Sequence, residues 1–96
     1  MSMLGWGKSV FINKTSDGRN NLSGRAIGQL RKQRGLSQRA LADQMQLLGI
    51  DLDKNAVQRI EAGLRFVTDI ELCGFARYFA VPAEQLLSAA DEKYVP

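Results

Sequence analysis

Histidine is absent from the 96 residues, and there is a single cysteine. Without imidazole, and with Cys73 as the lone thiol, the chain has little from which to build a zinc site or the usual proton relay of an acid–base enzyme. No nucleophile–base pair and no phosphate loop stands in their place, so neither catalysis nor a metal or other cofactor is expected. One cysteine cannot form an internal disulfide, which makes a reducing cytoplasm the expected compartment. Apolar runs extend only a few residues, well short of the roughly 20 that span a membrane. The first residues lack the basic start and continuous apolar core of a secretory signal. Repeats, long linkers and low-complexity runs are missing too.

What remains has the balance of an ordinary globular domain: 45% hydrophobic and 24% charged residues, enough for one core of modest extent. The net charge of +3 hides an asymmetry. Between residues 25 and 66, Arg25, Arg31, Lys32, Arg34, Arg39, Lys54, Arg59 and Arg65 oppose Asp43, Asp51, Asp53 and Glu61, a net +4. From residue 67 onward, Arg77 and Lys93 oppose Asp69, Glu71, Glu84, Asp91 and Glu92, a net −3. A basic middle beside an acidic end suggests one surface prepared for a polyanion.

Residues 1–22 read as an N-terminal arm. "SVFI" has strand character and Asp17-Gly18 is a turn signal, so the arm either holds one short strand before a polar loop or is a partly disordered leader. From Ser23 the pattern turns helical: Ile27, Leu30, Arg31 and Arg34 share a stripe that Gly35 closes. Ser37 is the N-cap of a second helix carrying Leu41, Met45 and Leu48, which ends before Gly49. "IDLD" connects to a third helix, 54–62, with Asp53 as N-cap and Gly63 as its stop. Thr68 to Glu71 has capping-box spacing and opens a fourth helix whose Leu72, Phe75, Ala76 and Phe79 face inward. Cys73 is expected among them as a small core residue. Pro82 suits the first turn of a fifth helix holding Leu86 and Leu87. The expected fold is therefore all-α, a compact five-helix bundle over 23–88 with a fraying tail at 89–96.

Within "VQRIEAG", Val57 and Ile60 share a face, and Glu61, four on from Val57, falls on the same apolar side. Arg31 sits likewise inside the apolar stripe of the first helix. Two charges in two buried stripes are most simply explained if they meet, because an unpaired buried charge costs several kcal/mol. A guanidinium can hold a carboxylate through two parallel hydrogen bonds, fixing geometry as well as charge. The alternative is two partly exposed charges at helix ends.

"LRKQRGLSQRALADQ", "NAVQRIEAGLR" and "IELCGFARYFAVPAEQLL", in that order, resemble the helix-turn-helix domains of phage repressor and Cro type (XRE-like regulators). The correspondence covers about residues 23–88. It implies a lambda repressor-like helical domain that binds double-stranded DNA as a dimer, with an ion pair matching Arg31 and Glu61. It also implies a sugar-phosphate contact from Gln38. One departure stands out: "MQLLGIDLD" lengthens the connection between the second and third helices by about five residues.

At 100° per residue, Asn55 and Arg59 lie almost opposite Val57, with Lys54 and Gln58 flanking them and no acid on that face. Arginine suits guanine N7 and O6, and asparagine or glutamine suits adenine N6 and N7. Lys54, Asn55, Gln58 and Arg59 are the expected base readers. The second helix's N-terminus after Ser37 suits a phosphate oxygen; with the Gln38 contact that the resemblance implies, Ser37, Gln38, Arg39 and, past the third helix, Arg65 are the expected phosphate ligands. Lys14 and Arg19 in the arm are candidates for minor-groove contact, as in the extended arms of some DNA-binding domains. Trp6 and Phe11 pack on a partner or on the domain. The expected function is a transcriptional repressor on an inverted repeat, with Leu86, Leu87 and the arm as candidate dimer surfaces. No sensing domain is expected after the bundle, leaving control to concentration, degradation or an unidentified protein partner. The competing reading is a protein-interaction module on the same scaffold, including an antitoxin-type protein, without independent DNA readout.

Overall fold

Helices begin and end where local chemistry dictates. The computed structural model describes residues 13–88; Trp6, Phe11, the "SVFI" segment and the tail from residue 89 lie outside them. Among the described residues five helices follow one another: α1 Gly24–Gln33, α2 Gln38–Leu47, α3 Lys54–Glu61, α4 Asp69–Phe79 and α5 Ala83–Ser88. Among the described residues there is no strand. Ser37 and Asp53 cap α2 and α3 by accepting the Ala40 and Ala56 N–H groups at 3.0 and 2.8 Å. Thr68 and Glu71 complete both bonds of the capping box on α4. Pro82 stands one residue ahead of α5 instead of inside its first turn.

The first three helices stop in one way. Gly35, Gly49 and Gly63 take positive φ, and the next residue's N–H returns to the carbonyl three positions before the cap: Leu36 to Arg31, Ile50 to Met45, Leu64 to Arg59. The end of α4 uses Ala80 at φ 56°, where a side chain is strained.

Ile27, Leu41, Met45, Leu52, Val57, Ile60, Phe75, Phe79 and Leu86 are fully enclosed and form one core. Helix α2 packs on α3 and α4, while α1 packs on α3 and α5. The lengthened connection after α2 is pinned by burial: Leu52 enters the core, Ile50 packs against it, and the Gln46 amide donates to Asp51 and to the Leu52 carbonyl at 3.0 and 2.9 Å. Close approach of α1 to the end of α3 depends on glycine. A Cβ on Gly24 would collide with the Ile60 carbonyl oxygen, and one on Gly28 would stand 3.2 Å from Glu61 Oε1.

Cys73 and Leu86 also depart from expectation, and Leu48, expected on the apolar stripe of α2, is exposed. Cys73 is exposed; the inward stripe of α4 runs through Gly74, Phe75, Ala76 and Phe79, and residue 73 is turned off it. Leu86 is wholly enclosed in the protein's own core and is not available as a dimer surface, while Leu87 is half-buried.

The backbone contacts set two opposite signs for small substitutions. Gly24→Ala should destabilise the fold by about 1–3 kcal/mol, the range for overpacking. Ala80→Gly should stabilise it by about 1 kcal/mol by relieving a left-handed side chain. Urea unfolding of the two variants against the parent reads both.

Candidate nucleic-acid interface

The carboxylate of Glu61 ends α3 in a nest of donors. Arg31 Nε and one terminal nitrogen donate to its two oxygens at 2.7 and 2.8 Å, the parallel fork expected from the sequence. Both side chains are only 11% exposed. The other Arg31 terminal nitrogen donates to the Leu36 carbonyl at 2.8 Å, and Gln38 Nε2 donates to Glu61 Oε1 at 3.1 Å. Four parts of the chain therefore converge: α1, the turn after it, the first residue of α2 and the last of α3. Hydrogen bonding to Glu61 raises the Arg31 guanidinium above its ordinary value, against the opposing effect of burial.

The carbonyl end of α3 is gripped from the other side by residues that periodicity did not single out. Arg19 donates to the Glu61 carbonyl at 2.8 Å, and its guanidinium lies across Gly63, where a Cβ would meet it at 2.8 Å. Asn21 Nδ2 donates to the Ile60 and Arg65 carbonyls at 2.9 and 2.8 Å, while its Oδ1 accepts the Gly24 N–H at 2.8 Å. Asn20 reaches the Gly63 and Leu64 carbonyls. A cation at a helix C-terminus is favourable, and these bonds satisfy carbonyls that have no partner within the helix. Arg19 is thus folded onto the domain, not extended toward a groove. Burial pushes its guanidinium down, with the charge of Arg25 adding to the effect. The polar run "GRNN" was the one available signal, and it resembles any surface loop.

With its two buried residues, Val57 and Ile60, held inward, α3 turns Lys54, Asn55, Gln58 and Arg59 to solvent, all four exposed. Asn55, Gln58, Arg59, Ala62 and Leu64 line one shallow groove of about 400 Å³. Asp53, at the leading end, accepts the Ala56 N–H as cap, and no acid lies along the outward stripe. Of the expected phosphate ligands, Arg39 is exposed at the start of α2, and the Ser37 hydroxyl serves as its cap. Gln38 is half-buried against Glu61, with a second amide N–H left on its nitrogen.

Arg65 is engaged elsewhere. It forks onto Glu71 at 2.8 and 3.0 Å and donates to the Phe66 carbonyl at 2.9 Å, bracing the segment between α3 and α4. Burial alone would raise the Glu71 carboxyl, but hydrogen bonds from Arg65 and the Thr68 amide outweigh it and hold it below the ordinary 4.5. Arg34 is a further contact not foreseen: it lies over the Phe79 ring at 5.3 Å and donates to the Phe79 carbonyl at 2.7 Å, tying the end of α1 to the end of α4.

The model of a family described as the helix-turn-helix domain matches residues 24–89, more than half of the chain. No curated protein matches the sequence.

Two outcomes follow from the ion pairs. Removing one member of the enclosed pair, as in Glu61→Ala, should cost roughly 3–5 kcal/mol, whereas the apolar double variant Arg31→Met with Glu61→Leu should recover most of it; urea titrations at neutral pH decide. Because the folded Glu71 carboxyl lies low, its contribution is complete above the ordinary 4.5 and is lost as pH falls through its lower folded value. The stability advantage of the parent over Glu71→Gln should therefore shrink through that acidic window and hold steady above it.

Proposed function

The chain belongs to the helix-turn-helix domain family, and from that premise we propose that it is a sequence-specific regulator of transcription. It binds double-stranded DNA and represses by occupying its site. In this reading α3 enters the major groove, which is wide enough for one helix and presents a distinct donor and acceptor pattern for each base pair. The observation that carries the proposal is the division of α3. One side is locked by Val57, Ile60 and the Glu61 carboxylate, and the other offers two cationic and two amide side chains without an acid.

Arg59 and Asn55 read base edges, with Lys54 and Gln58 shared between bases and backbone. Arg39, the N-terminal amides of α2 beside Ser37 and the remaining N–H of Gln38 bind phosphate. Arg65 reaches phosphate only at the expense of its fork on Glu71, so its part in binding is the weakest of the set. An eight-residue helix spans too few base pairs to define a site alone. Two copies on an inverted repeat, with half-sites about 34 Å apart, supply the rest. The chemistry is binding without catalysis, and the place of action is the cytoplasm.

Selection of duplexes from a random pool at physiological salt tests the reading, and an inverted repeat is the expected product. No enriched duplex would replace it with the protein-interaction module. On the selected site Arg59→Ala should lose about five- to 150-fold in affinity, through the about 1–3 kcal/mol of a bidentate base contact, and lose little on scrambled duplex. Arg39→Ala should weaken both duplexes evenly and reduce the salt slope by about one. Fluorescence anisotropy across a salt series separates the two behaviours.

A further inference from the structure

Leu64 breaks a pattern that the other helix ends keep. The residue after each left-handed stop usually packs on an apolar neighbour. Ile50 after α2 and Val81 after α4 do so against the core, and Leu36 after α1 is half-buried. Leu64 is instead 59% exposed. Its backbone is nevertheless held on both sides: its N–H donates to the Arg59 carbonyl at 2.9 Å, and its own carbonyl accepts from Asn20 Nδ2 at 3.2 Å. A held backbone thus carries an exposed apolar side chain in the same groove as Asn55, Gln58, Arg59 and Ala62. The other exposed large apolar residues (Leu47, Leu48, Phe66 and Ile70) do not line that groove.

We propose that Leu64 is a specificity-determining residue that packs against the 5-methyl group of a thymine beside the base pair read by Arg59. The inference rests on the DNA-binding reading above. In the major groove the base edges present donors and acceptors, and the one apolar group among them is the thymine methyl. Leu64 is the large apolar side chain of the groove, and the thymine methyl is its complement there. Because the backbone around Leu64 is already bonded, binding has little backbone left to order there.

The test uses the full chain and the duplex selected from the random pool, with each thymine replaced in turn by deoxyuridine, which removes only the methyl. At one thymine per half-site, next to the position relaxed by Arg59→Ala, the methyl's removal should weaken the parent protein about three- to fourfold, the equivalent of one buried methyl. Leu64→Ala, confirmed as folded by its urea transition, should bind thymine and deoxyuridine duplexes equally at that position. It should bind the thymine duplex less tightly than the parent by a similar factor. If the parent binds the selected duplex but no methyl removal distinguishes it from Leu64→Ala, Leu64 does not read thymine and the inference falls alone. Equal losses for Leu64→Ala on every duplex overturn it in favour of a non-specific contact. An absence of any selected duplex removes the DNA reading, and this inference with it.

Discussion

A carboxylate enclosed beneath the last turn of α3 cannot stand without its guanidinium, and the geometry of the domain follows from that need. Glu61 reaches Arg31 only if α3 ends against α1, and it reaches Gln38 only if α2 starts beside both. Gly28 leaves the space in which the carboxylate lies, and Gly24 lets the Ile60 carbonyl approach α1 closely. Hydrophobic contact alone is non-directional and would tolerate rotation of so short a helix. Two parallel charged hydrogen bonds do not, because each fixes an angle as well as a distance. Fixing the rotation of α3 about its axis fixes which side chains face out.

Three further devices hold the same helix. Asp53 caps its start, Leu52 anchors the chain that enters it, and Arg19, Asn20 and Asn21 bind the carbonyls at and beyond its end. The lengthened connection after α2 does not loosen the arrangement, since its apolar residues alternate into the core. Arg65 and Glu71 brace the exit toward α4, and Arg34 on Phe79 ties the far ends of α1 and α4 together. An eight-residue helix is marginal by itself in water, so nearly all its stability is tertiary.

Much of this was legible in the residues because the signals are side-chain signals. Gly35, Gly49 and Gly63 mark stops through the backbone they allow, Thr68 and Glu71 mark a start, and Arg31 and Glu61 reveal themselves as charges inside apolar stripes. The inward positions of α4 follow from spacing, yet Cys73, expected among them, is carried to solvent by one residue's rotation. Leu86 could be read as apolar but not as already covered. The grip of Arg19, Asn20 and Asn21 was not legible, for a physical reason: their acceptors are backbone carbonyls, which every residue carries alike. Arg65 was expected at phosphate because its charge is visible in the sequence, while the loop that folds Glu71 back onto it is not periodic. The exposure of Leu64 has no signal in the sequence, because an apolar residue after a helix stop ordinarily packs inward.

Helix α3 is split lengthwise between two duties. Val57, Ile60 and Glu61 carry the structural one, and Lys54, Asn55, Gln58 and Arg59 contribute little to the core. Exchange at exposed positions of this kind typically shifts stability by less than about 0.5 kcal/mol. The outward residues are therefore free to diverge, singly or together, while the scaffold stays folded. A lineage of such chains can change this outward face without passing through an unfolded intermediate, and a designer can transplant a foreign outward face onto this domain in one step.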